Sequence, residues 1–333
     1  MTRAAQLAGW MPIRFYWQHA EPFVDWCDMG AARLTDPFFT QTVERALQQP
    51  FSLLFRPQTP ARVLMEVAAS VETLPPTGFI FHLSRCGSTV ISRMLAALAQ
   101  NVVISEAGPI DSVLRANFRR PVTDEQRTVW LKAMIAVLGQ RRAAAERHYF
   151  VKFDGWHTLN LSLIRRAFPA VPWLFVYRAP VEVMASHLRR PAGWMRPGDL
   201  HPHLLGLDGH AALGLRPEQY YALVLARICQ AALQHLPDAR VRLVNHRQLP
   251  GVLDQTLFDF FGVAYTAAEV AAMRRTIAFH AKEPTARYVD DSAAKRDEVT
   301  AEVRQLTEQL VGPFYEQLEL VRAAGEQVEA RGK

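Results

Sequence analysis

Short apolar runs alternate with segments of helical spacing through the middle of the chain, and this alternation constrains the fold most. The runs lie at residues 79–83, 102–104, 148–152, 173–177 and 241–244. Helical patterns separate them, at residues 88–99, 124–145, 159–168, 181–190 and 218–236. Strands joined through helices become parallel neighbours that are covered on both faces. The sequence therefore predicts an α/β fold with a parallel sheet of about five strands flanked by helices.

Two further regions flank this alternation. Residues 1–75 are rich in aromatic side chains and contain a helical pattern at 38–48, before a Pro-Pro-Thr-Gly sequence interrupts the chain at 75–78. We expect a mainly helical N-terminal extension over 1–75 and the α/β domain over 76–333. Helical patterns at 252–261, 267–279 and 296–323 predict a helical C-terminal part.

The composition is that of a globular protein without a disulfide framework, and by itself it does not indicate a function. Half of the 333 residues are hydrophobic, which is enough for a large core. The net charge of +6 fits an anionic ligand, nucleic acid or a membrane surface. The three cysteines are widely separated and form neither a disulfide framework nor a zinc-binding pattern.

The apolar runs also bear on location and partners. The N-terminus lacks the continuous apolar stretch of a secretion signal, and every apolar run is far shorter than the ~20 residues that span a bilayer. We expect a cytoplasmic protein with no stable membrane insertion and no nucleic-acid partner. A homo-oligomer is compatible with the sequence.

Charged and hydroxyl side chains collect where the predicted strands end. The turn Ser84–Thr89 follows the first strand, and Glu106 follows the second. The third strand ends with Lys152 and Asp154, and Arg178 follows the fourth. Ligands of open parallel sheets bind beyond the carboxyl ends of the strands. We therefore expect one functional site at this edge.

The first turn has the composition of an anion-binding loop. Gly87 and the hydroxyl residues Ser84, Ser88 and Thr89 lead from a buried strand into a helix. Backbone N–H groups in such a turn point at a phosphate or sulfate. The alternative is an ordinary strand–helix turn in which Ser88 or Thr89 is the N-cap.

The turn is not a Walker A loop, which requires G-x-x-x-x-G-K-[ST]. Position 82 is His82, Gly87 is followed by Ser88, and the fourth strand continues into Arg178 instead of a magnesium-holding aspartate. A nucleotide site without that carboxylate argues against phosphoryl transfer from ATP. We expect no metal, and an anionic donor whose charge is balanced by protein cations.

The stretch from Phe81 to Thr89 resembles the 5′-phosphosulfate-binding loop of sulfotransferases that use 3′-phosphoadenosine-5′-phosphosulfate (PAPS). It is most similar to the bacterial branch of that family, with its R-[SC]-G-[ST]-T core. Those enzymes also carry an Arg after a later strand and a Ser eight positions on, which hold the 3′-phosphate of the donor. Arg178 and Ser186 have this spacing. The resemblance is good over 78–190 and weak over 218–295.

The resemblance implies a P-loop-like sulfotransferase fold and the transfer of a sulfuryl group from PAPS to a hydroxyl or amine, releasing 3′-phosphoadenosine-5′-phosphate (PAP). The residues that it implies around the 5′-phosphosulfate are Ser84, Arg85, Cys86, Gly87, Ser88 and Thr89. Arg85 would neutralise charge that builds on the bridging oxygen. Lys282 and Arg287 lie where relatives close over the 3′-phosphate, although a solvated basic loop is an equal alternative.

The sequence leaves open which group accepts the proton of the acceptor. Glu106 is the first candidate, because it resembles a Glu of bacterial carbohydrate sulfotransferases. Cytosolic members have a Lys-x-His element on the third strand. Here Lys152 matches the Lys, Asp154 replaces the His, and His157 follows three residues later. Lys152 is expected to stabilise the transferring group, with a structural ion pair to Asp154 as the alternative.

Two other functions fit the sequence. One is a nucleotide kinase or NTPase with a degenerate P-loop, and the other is a non-catalytic, sulfotransferase-like nucleotide-binding protein. The acceptor is unidentified, since a small molecule, a carbohydrate and a lipid are all compatible. The aromatic segment 1–75 either packs over the crevice and shapes the acceptor pocket or extends the core as a further layer.

Overall fold

The computed structural model describes residues 3–208, 210–249, 251–276 and 297–331, and none of the helices in these ranges is long and apolar enough to cross a membrane. The N-terminal elements are α1 (Arg3–Gln6), β1 (Trp10–Gln18), β2 (Glu21–Asp28), α2 (Phe39–Leu47), α3 (Pro50–Leu54), β3 (Gln58–Pro60) and α4 (Ala61–Ser70). The central elements are β4 (Gly78–His82), α5 (Ser88–Ala96), β5 (Asn101–Ser105), α6 (Gly108–Leu114), α7 (Ala116–Arg119), α8 (Asp124–Leu138), β6 (His148–Lys152), α9 (Leu161–Ala167), β7 (Trp173–Tyr177), α10 (Pro180–Arg189), α11 (Pro217–Leu233) and β8 (Val241–Asn245). The C-terminal helices within the described ranges are α12 (Gln255–Phe260), α13 (Ala267–Arg275), α14 (Ala301–Leu310) and α15 (Gly312–Arg331).

Five strands form one parallel sheet in the order β5-β6-β4-β7-β8. Every residue of β4, β5 and β7 is buried, as expected for strands that helices cover on both faces. The predicted α/β fold, with a parallel sheet of about five strands flanked by helices, is confirmed.

The strand order makes the end of β4 a natural ligand site. The connection after β4 leads to β5 on one side of the sheet, whereas the connections after β6 and β7 lead to the other side. Connections that diverge in this way leave a crevice beyond the carboxyl ends of the strands. The turn that the sequence marks as an anion-binding loop follows β4 at this crevice.

Several element boundaries differ from those predicted. The long helix α8 ends at Leu138 instead of residue 145, and Gly139 follows it as the C-cap. Only glycine fits at that position, because a Cβ would lie 2.3 Å from the ring of Tyr149. The pattern at 296–323 forms two helices, α14 and α15, instead of one. The short helix α6, directly after Glu106, was not predicted. Of the pattern at 267–279, only the part that ends at Arg275 is helix among the described residues.

The N-terminal extension contains a sheet that the sequence analysis missed. Strands β1, β2 and β3 form a three-stranded antiparallel sheet, and the Trp26 indole donates a hydrogen bond to the Thr59 hydroxyl at 2.9 Å. The predicted helix at 38–48 is present as α2. The aromatic residues of this region therefore belong largely to a β-hairpin and not to helices.

The extension shares one apolar core with the α/β domain. Phe15 and Trp17 of β1 pack on Trp130 of α8, with ring centroids 5.3 and 6.1 Å apart. A single cluster of buried side chains includes Val24 and Trp26 of the extension together with residues of the parallel sheet. The extension thus forms a further layer of the core, which is one of the two roles expected from the sequence.

Candidate active site

The loop between β4 and α5 has an unusual backbone. Ser84, Arg85 and Gly87 have φ angles of +73°, +52° and +89°, in the left-handed region that non-glycine residues rarely adopt. Backbone N–H groups in such a loop turn toward a common point and form a cradle for an anion. The loop is tied to β7, because the Leu83 N–H and the Cys86 thiol both donate to the carbonyl oxygen of Val176, at 2.9 and 3.1 Å.

Only glycine fits at position 87. Besides the positive φ, a Cβ there would lie 2.8 Å from Cδ1 of Leu249 and 2.9 Å from Nδ1 of His246. The same His246 nitrogen donates to the Cys86 carbonyl oxygen at 3.2 Å. Gly87 is the N-cap of α5, whose first turn carries no acidic residue and no side-chain cap. The positive end of this helix dipole therefore faces the loop, and no acidic side chain of the first helical turn balances it.

Lys152 and Glu106 form an ion pair at the ends of β6 and β5. The register pairs Ser105 with Lys152, and the Glu106 N–H donates to the Lys152 carbonyl at 2.8 Å. The Lys152 side chain is fully buried, and Nζ bonds Oε1 of Glu106. Nε2 of His82 lies 3.4 Å from the same oxygen. Glu106 itself has a φ of +53°, so its backbone is also strained.

The two carboxyl groups at this edge, Glu106 and Asp154, have pKa values that are shifted in opposite directions. Burial pushes the pKa of Glu106 upward, but the charge of Lys152 and the hydrogen bond from His82 outweigh it and hold the pKa well below its usual range. In contrast, burial and then the negative charge of Glu106 raise the pKa of Asp154 to about 7. The Asp154 carboxylate accepts hydrogen bonds from the Gly155 N–H at 2.6 Å and the Trp194 indole at 2.7 Å.

His82, Glu106 and Asp154 together resemble a set of metal ligands. One potential ligand atom from each lies within 4.8 Å of the others. The Lys152 ammonium already places a positive charge beside Glu106. The trio is therefore part of a charged cluster that also contains the Lys152 ammonium.

His157 is held inside the turn that follows Asp154. Its Nδ1 accepts a hydrogen bond from the Asp154 N–H at 3.2 Å, and its Nε2 lies 3.4 Å from Oδ1 of Asp111. The side chain is only 1% exposed. Both ring nitrogens thus have partners within the turn and α6, and the ring orders the backbone around Asp154.

Arg178 precedes α10 and Ser186 lies within it, and both bond to Glu182 in the first turn of that helix. Nε of Arg178 donates to the Glu182 carboxylate at 2.6 Å, and the Ser186 hydroxyl donates to the Glu182 carbonyl at 3.0 Å. The side chains of Arg178 and Glu182 are 5% and 4% exposed. The predicted phosphate-binding cation is therefore buried and already faces a carboxylate.

Cys86 is a packing residue of the loop. Burial raises the pKa of its thiol to about 12, although the positive charges of Lys152 and Arg178 act in the opposite direction. The sheet order places β6 and β7 on either side of β4, so the ends of these strands flank the loop. Lys282 and Arg287, the remaining predicted binding residues, lie outside the described residues.

Sequence reasoning missed four polar or aromatic groups of this site. They are Phe38, His82, Glu182 and Trp194. Glu182 had a signal, since a Glu four residues after an Arg at the start of a helix forms an ion pair. Trp194 lies in a loop segment whose contact with Asp154 depends on tertiary structure, so the sequence offers no comparable signal.

No family model matches the chain, and no curated protein matches it either. Among solved structures, the chain is similar to the sulfotransferase domain from the curacin biosynthetic pathway, with 18% identity over 72% of this chain and 98% of that one and a TM-score of 0.43. It is also similar to a sulfotransferase from Alicyclobacillus acidocaldarius (15% identity, 75% and 96% of the two chains, TM-score 0.44). A mouse sulfotransferase solved with PAP is a further similar structure (10% identity, 80% and 93% of the two chains, TM-score 0.42). At these TM-scores the similarities do not establish what the chain does.

Proposed function

We propose that the protein transfers a sulfuryl group from PAPS to a hydroxyl or amine of an acceptor and releases PAP. One observation carries this proposal. The left-handed loop from Ser84 to Gly87 lies at the uncapped N-terminus of α5, with Lys152 and Arg178 on the two neighbouring strand ends. This arrangement favours a ligand with two separate anionic groups, which protein cations neutralise without a metal.

The donor is proposed to span the crevice. The backbone N–H groups from Arg85 to Thr89 would bind the 5′-phosphosulfate, while Arg178 and Ser186 would bind the 3′-phosphate. Glu182 competes for Arg178, since it forms a buried ion pair with that side chain. The 3′-phosphate would therefore share the guanidinium of Arg178 with Glu182.

The chemical step needs one new bond and one broken bond. The acceptor oxygen or nitrogen attacks sulfur, the bond from sulfur to the bridging oxygen of the donor breaks, and PAP leaves with that oxygen. Arg85 and Lys152 would stabilise the negative charge that develops on the bridging oxygen and the sulfuryl group. The acceptor's proton goes to a carboxylate of the site.

The pair Glu106 and Asp154 is proposed as the base. Two nearby carboxyl groups with widely separated pKa values take up one proton at a time, and the pKa of about 7 makes Asp154 the site of the proton near neutral pH. Glu106 would act by holding Lys152 and His82. His157 is not proposed as the base, because both of its ring nitrogens already have partners.

One observation favours a second function. Glu106 and Asp154 belong to a trio with the spacing of metal ligands, and a degenerate P-loop nucleotide kinase or NTPase would need such carboxylates to hold Mg²⁺. Retention of the purified protein on a 3′,5′-ADP resin in the presence of EDTA supports the sulfotransferase. Retention that requires Mg²⁺ and that ATP competes away supports the kinase or NTPase.

Incubation with ³⁵S-labelled PAPS and a panel of phenols, alcohols, amines, carbohydrates and lipids tests the transfer itself. We expect labelled product with at least one acceptor class.

Arg85→Ala is the matched variant. We expect its turnover to fall at least ~100-fold while the fold is retained, because charge stabilisation at the bridging oxygen is lost. Wild-type turnover in that variant would remove Arg85 from the mechanism. A protein that binds PAP tightly but labels no acceptor is the non-catalytic nucleotide-binding protein.

A further inference from the structure

We propose that the N-terminal extension is part of the catalytic machinery, with Phe38 acting as the positioning residue of Lys152. This inference rests on the proposed function of Lys152 toward the donor. Nζ of Lys152 lies 5.3 Å from the ring centroid of Phe38. That distance is within the range over which an aromatic ring attracts a cation.

The environment of Lys152 explains why it needs a second partner. Its side chain is fully buried, and a buried ammonium is costly unless nearby groups compensate its charge. Glu106 supplies a carboxylate, and the ring of Phe38 supplies the negative face of an aromatic quadrupole. A lysine side chain is flexible, so two partners restrict where the ammonium can lie. A cation held in one place stabilises developing charge without having to reorganise.

Phe38 is held firmly by the start of α2. The Phe38 N–H donates to the side-chain oxygen of Gln41 at 3.3 Å, and the Gln41 N–H donates back to the Phe38 carbonyl at 3.2 Å. The next residue, Phe39, is buried and packs with Val43 into the core of the extension. The ring therefore projects from a fixed helix end.

The chain before Phe38 is also tied down. Nη2 of Arg33 donates to the carbonyl oxygens of Ala96 and Leu98, at 2.8 and 2.6 Å, where α5 ends. Asp36 accepts a hydrogen bond from Nη1 of Arg45 in α2 at 2.7 Å. The segment that presents Phe38 is thus attached both to α2 and to the helix that begins at the anion-binding loop.

Substitutions at position 38 separate the charge effect of the ring from its size. Phe38→Leu keeps an apolar side chain of similar volume but removes the quadrupole, whereas Phe38→Tyr keeps the ring. Phe55→Leu is the matched control, because Phe55 belongs to the same extension, is 55% exposed and makes its ring contact with Phe51. All three variants should melt within a few degrees of the wild type.

The first measurement compares kcat and KM for PAPS among these variants. We expect Phe38→Leu to lower kcat roughly tenfold, the effect of losing a desolvated cation–π contact, with KM for PAPS changed less than about twofold. Phe38→Tyr and Phe55→Leu should keep kcat within about twofold of the wild type. Wild-type kcat in Phe38→Leu, or an equal loss in Phe38→Tyr, would overturn the proposal.

A second measurement does not depend on sulfuryl transfer. The unliganded proteins are exposed briefly to acetic anhydride, and acetylation of Lys152 is quantified by mass spectrometry. Since the ring covers the buried ammonium and holds it in place, Phe38→Leu should be acetylated several-fold faster than the wild type and Phe38→Tyr at the wild-type rate. This result in a protein without sulfotransferase activity would refute the proposed function while supporting the Phe38 contact. Equal acetylation of Phe38→Leu and wild type would refute the contact, whatever the activity.

Discussion

At the scale of single residues, Glu106 and Asp154 at the crevice differ in how their carboxyl groups ionise. Lys152 and His82 keep Glu106 an anion, whereas burial and the charge of Glu106 itself keep Asp154 protonated up to about pH 7. The pair therefore holds one proton below neutral pH and none above it. A carboxyl pair with this property can accept the acceptor's proton only in its fully ionised form.

The activity should accordingly depend on Asp154 and on pH. Because the base must be unprotonated, we expect kcat to rise with pH and to level off above about pH 7. In Asp154→Asn this rise should disappear and kcat should fall ~100-fold or more. The exposed Asp259→Asn variant is the control and should keep the wild-type profile. A pH profile that is unchanged in Asp154→Asn would show that another group is the base.

The same ionisation should be visible in stability, without any activity assay. The pKa of Asp154 is raised from 3.8 to about 7 on folding, so its stabilising contribution is complete below pH 3.8 and is lost as the pH rises to about 7. Asp154→Asn should therefore raise the melting temperature at pH 8 by a few degrees, and the gain should shrink toward pH 4. If Asp154→Asn is less stable than the wild type at pH 8, the folded protein stabilises the ionised carboxylate of Asp154, and this would contradict the raised pKa.

At the scale of elements, the β4–α5 loop has a strained backbone. Ser84, Arg85 and Gly87 are held in left-handed conformations although two of them have side chains. Ser84 and Arg85 each cost on the order of 1 kcal/mol or more in this conformation, and such strain persists where the surrounding structure holds it. Here the hydrogen bonds to β7 and to His246 hold the loop in place.

Gly87→Ala tests whether this loop shape is needed for the ligand. The added methyl group would press against Leu249 and His246 at 2.8 and 2.9 Å and would disfavour the positive φ. We expect PAP affinity to fall at least tenfold, measured by calorimetry, while the protein stays folded with a melting temperature a few degrees lower. Gly312→Ala is the control, because nothing lies within 4 Å of the added Cβ and φ there is not positive. Undiminished PAP affinity in Gly87→Ala would argue against binding at the loop.

The elements differ in how well the sequence predicts them. The strands of the parallel sheet are buried on both faces, so each is a continuous apolar run, and β6 and β7 have the predicted bounds. The hairpin β1–β2 was missed because a bulge between Pro12 and Arg14 breaks the two-residue alternation. Its turn also uses His19 at a φ of +57° where a glycine or asparagine is the usual signal.

At the scale of the whole molecule, we expect the chain to fold as one unit, because its core crosses the predicted boundary near residue 75. Met11, Val24 and Trp26 are fully buried in the cluster that also contains residues of the parallel sheet. Such burial contributes roughly 2 kcal/mol or more for each large side chain. Removing the extension would expose the facing side of the core to water.

Deletion of residues 1–70 should therefore abolish folding and not only turnover. We expect insoluble protein, or a soluble fraction without a cooperative melting transition in circular dichroism. Leu54→Ala, at a side chain that is 79% exposed in the same region, should melt like the wild type. A truncated protein that melts cooperatively at the wild-type temperature would show that the two regions are independent.

From the sequence alone, the candidate site could be predicted only for the residues that directly follow the strands. Parallel strands bring the β4 turn, Glu106, Lys152, Asp154 and Arg178 to one edge, whatever the order of the strands. The pairing of Lys152 with Glu106, instead of Asp154, depends on β5 lying directly beside β6. The contact of Phe38 with Lys152 likewise depends on how the extension packs, which no local pattern reveals.

A crystal structure of the protein soaked with PAP tests the central claim most directly. We predict that one PAP molecule bridges the crevice, with its 5′-phosphate on the backbone N–H groups of residues 85–89 and its 3′-phosphate on Arg178 and Ser186. Electron density for PAP elsewhere, or a loop around Gly87 that stays closed to the nucleotide at saturating concentration, would contradict it.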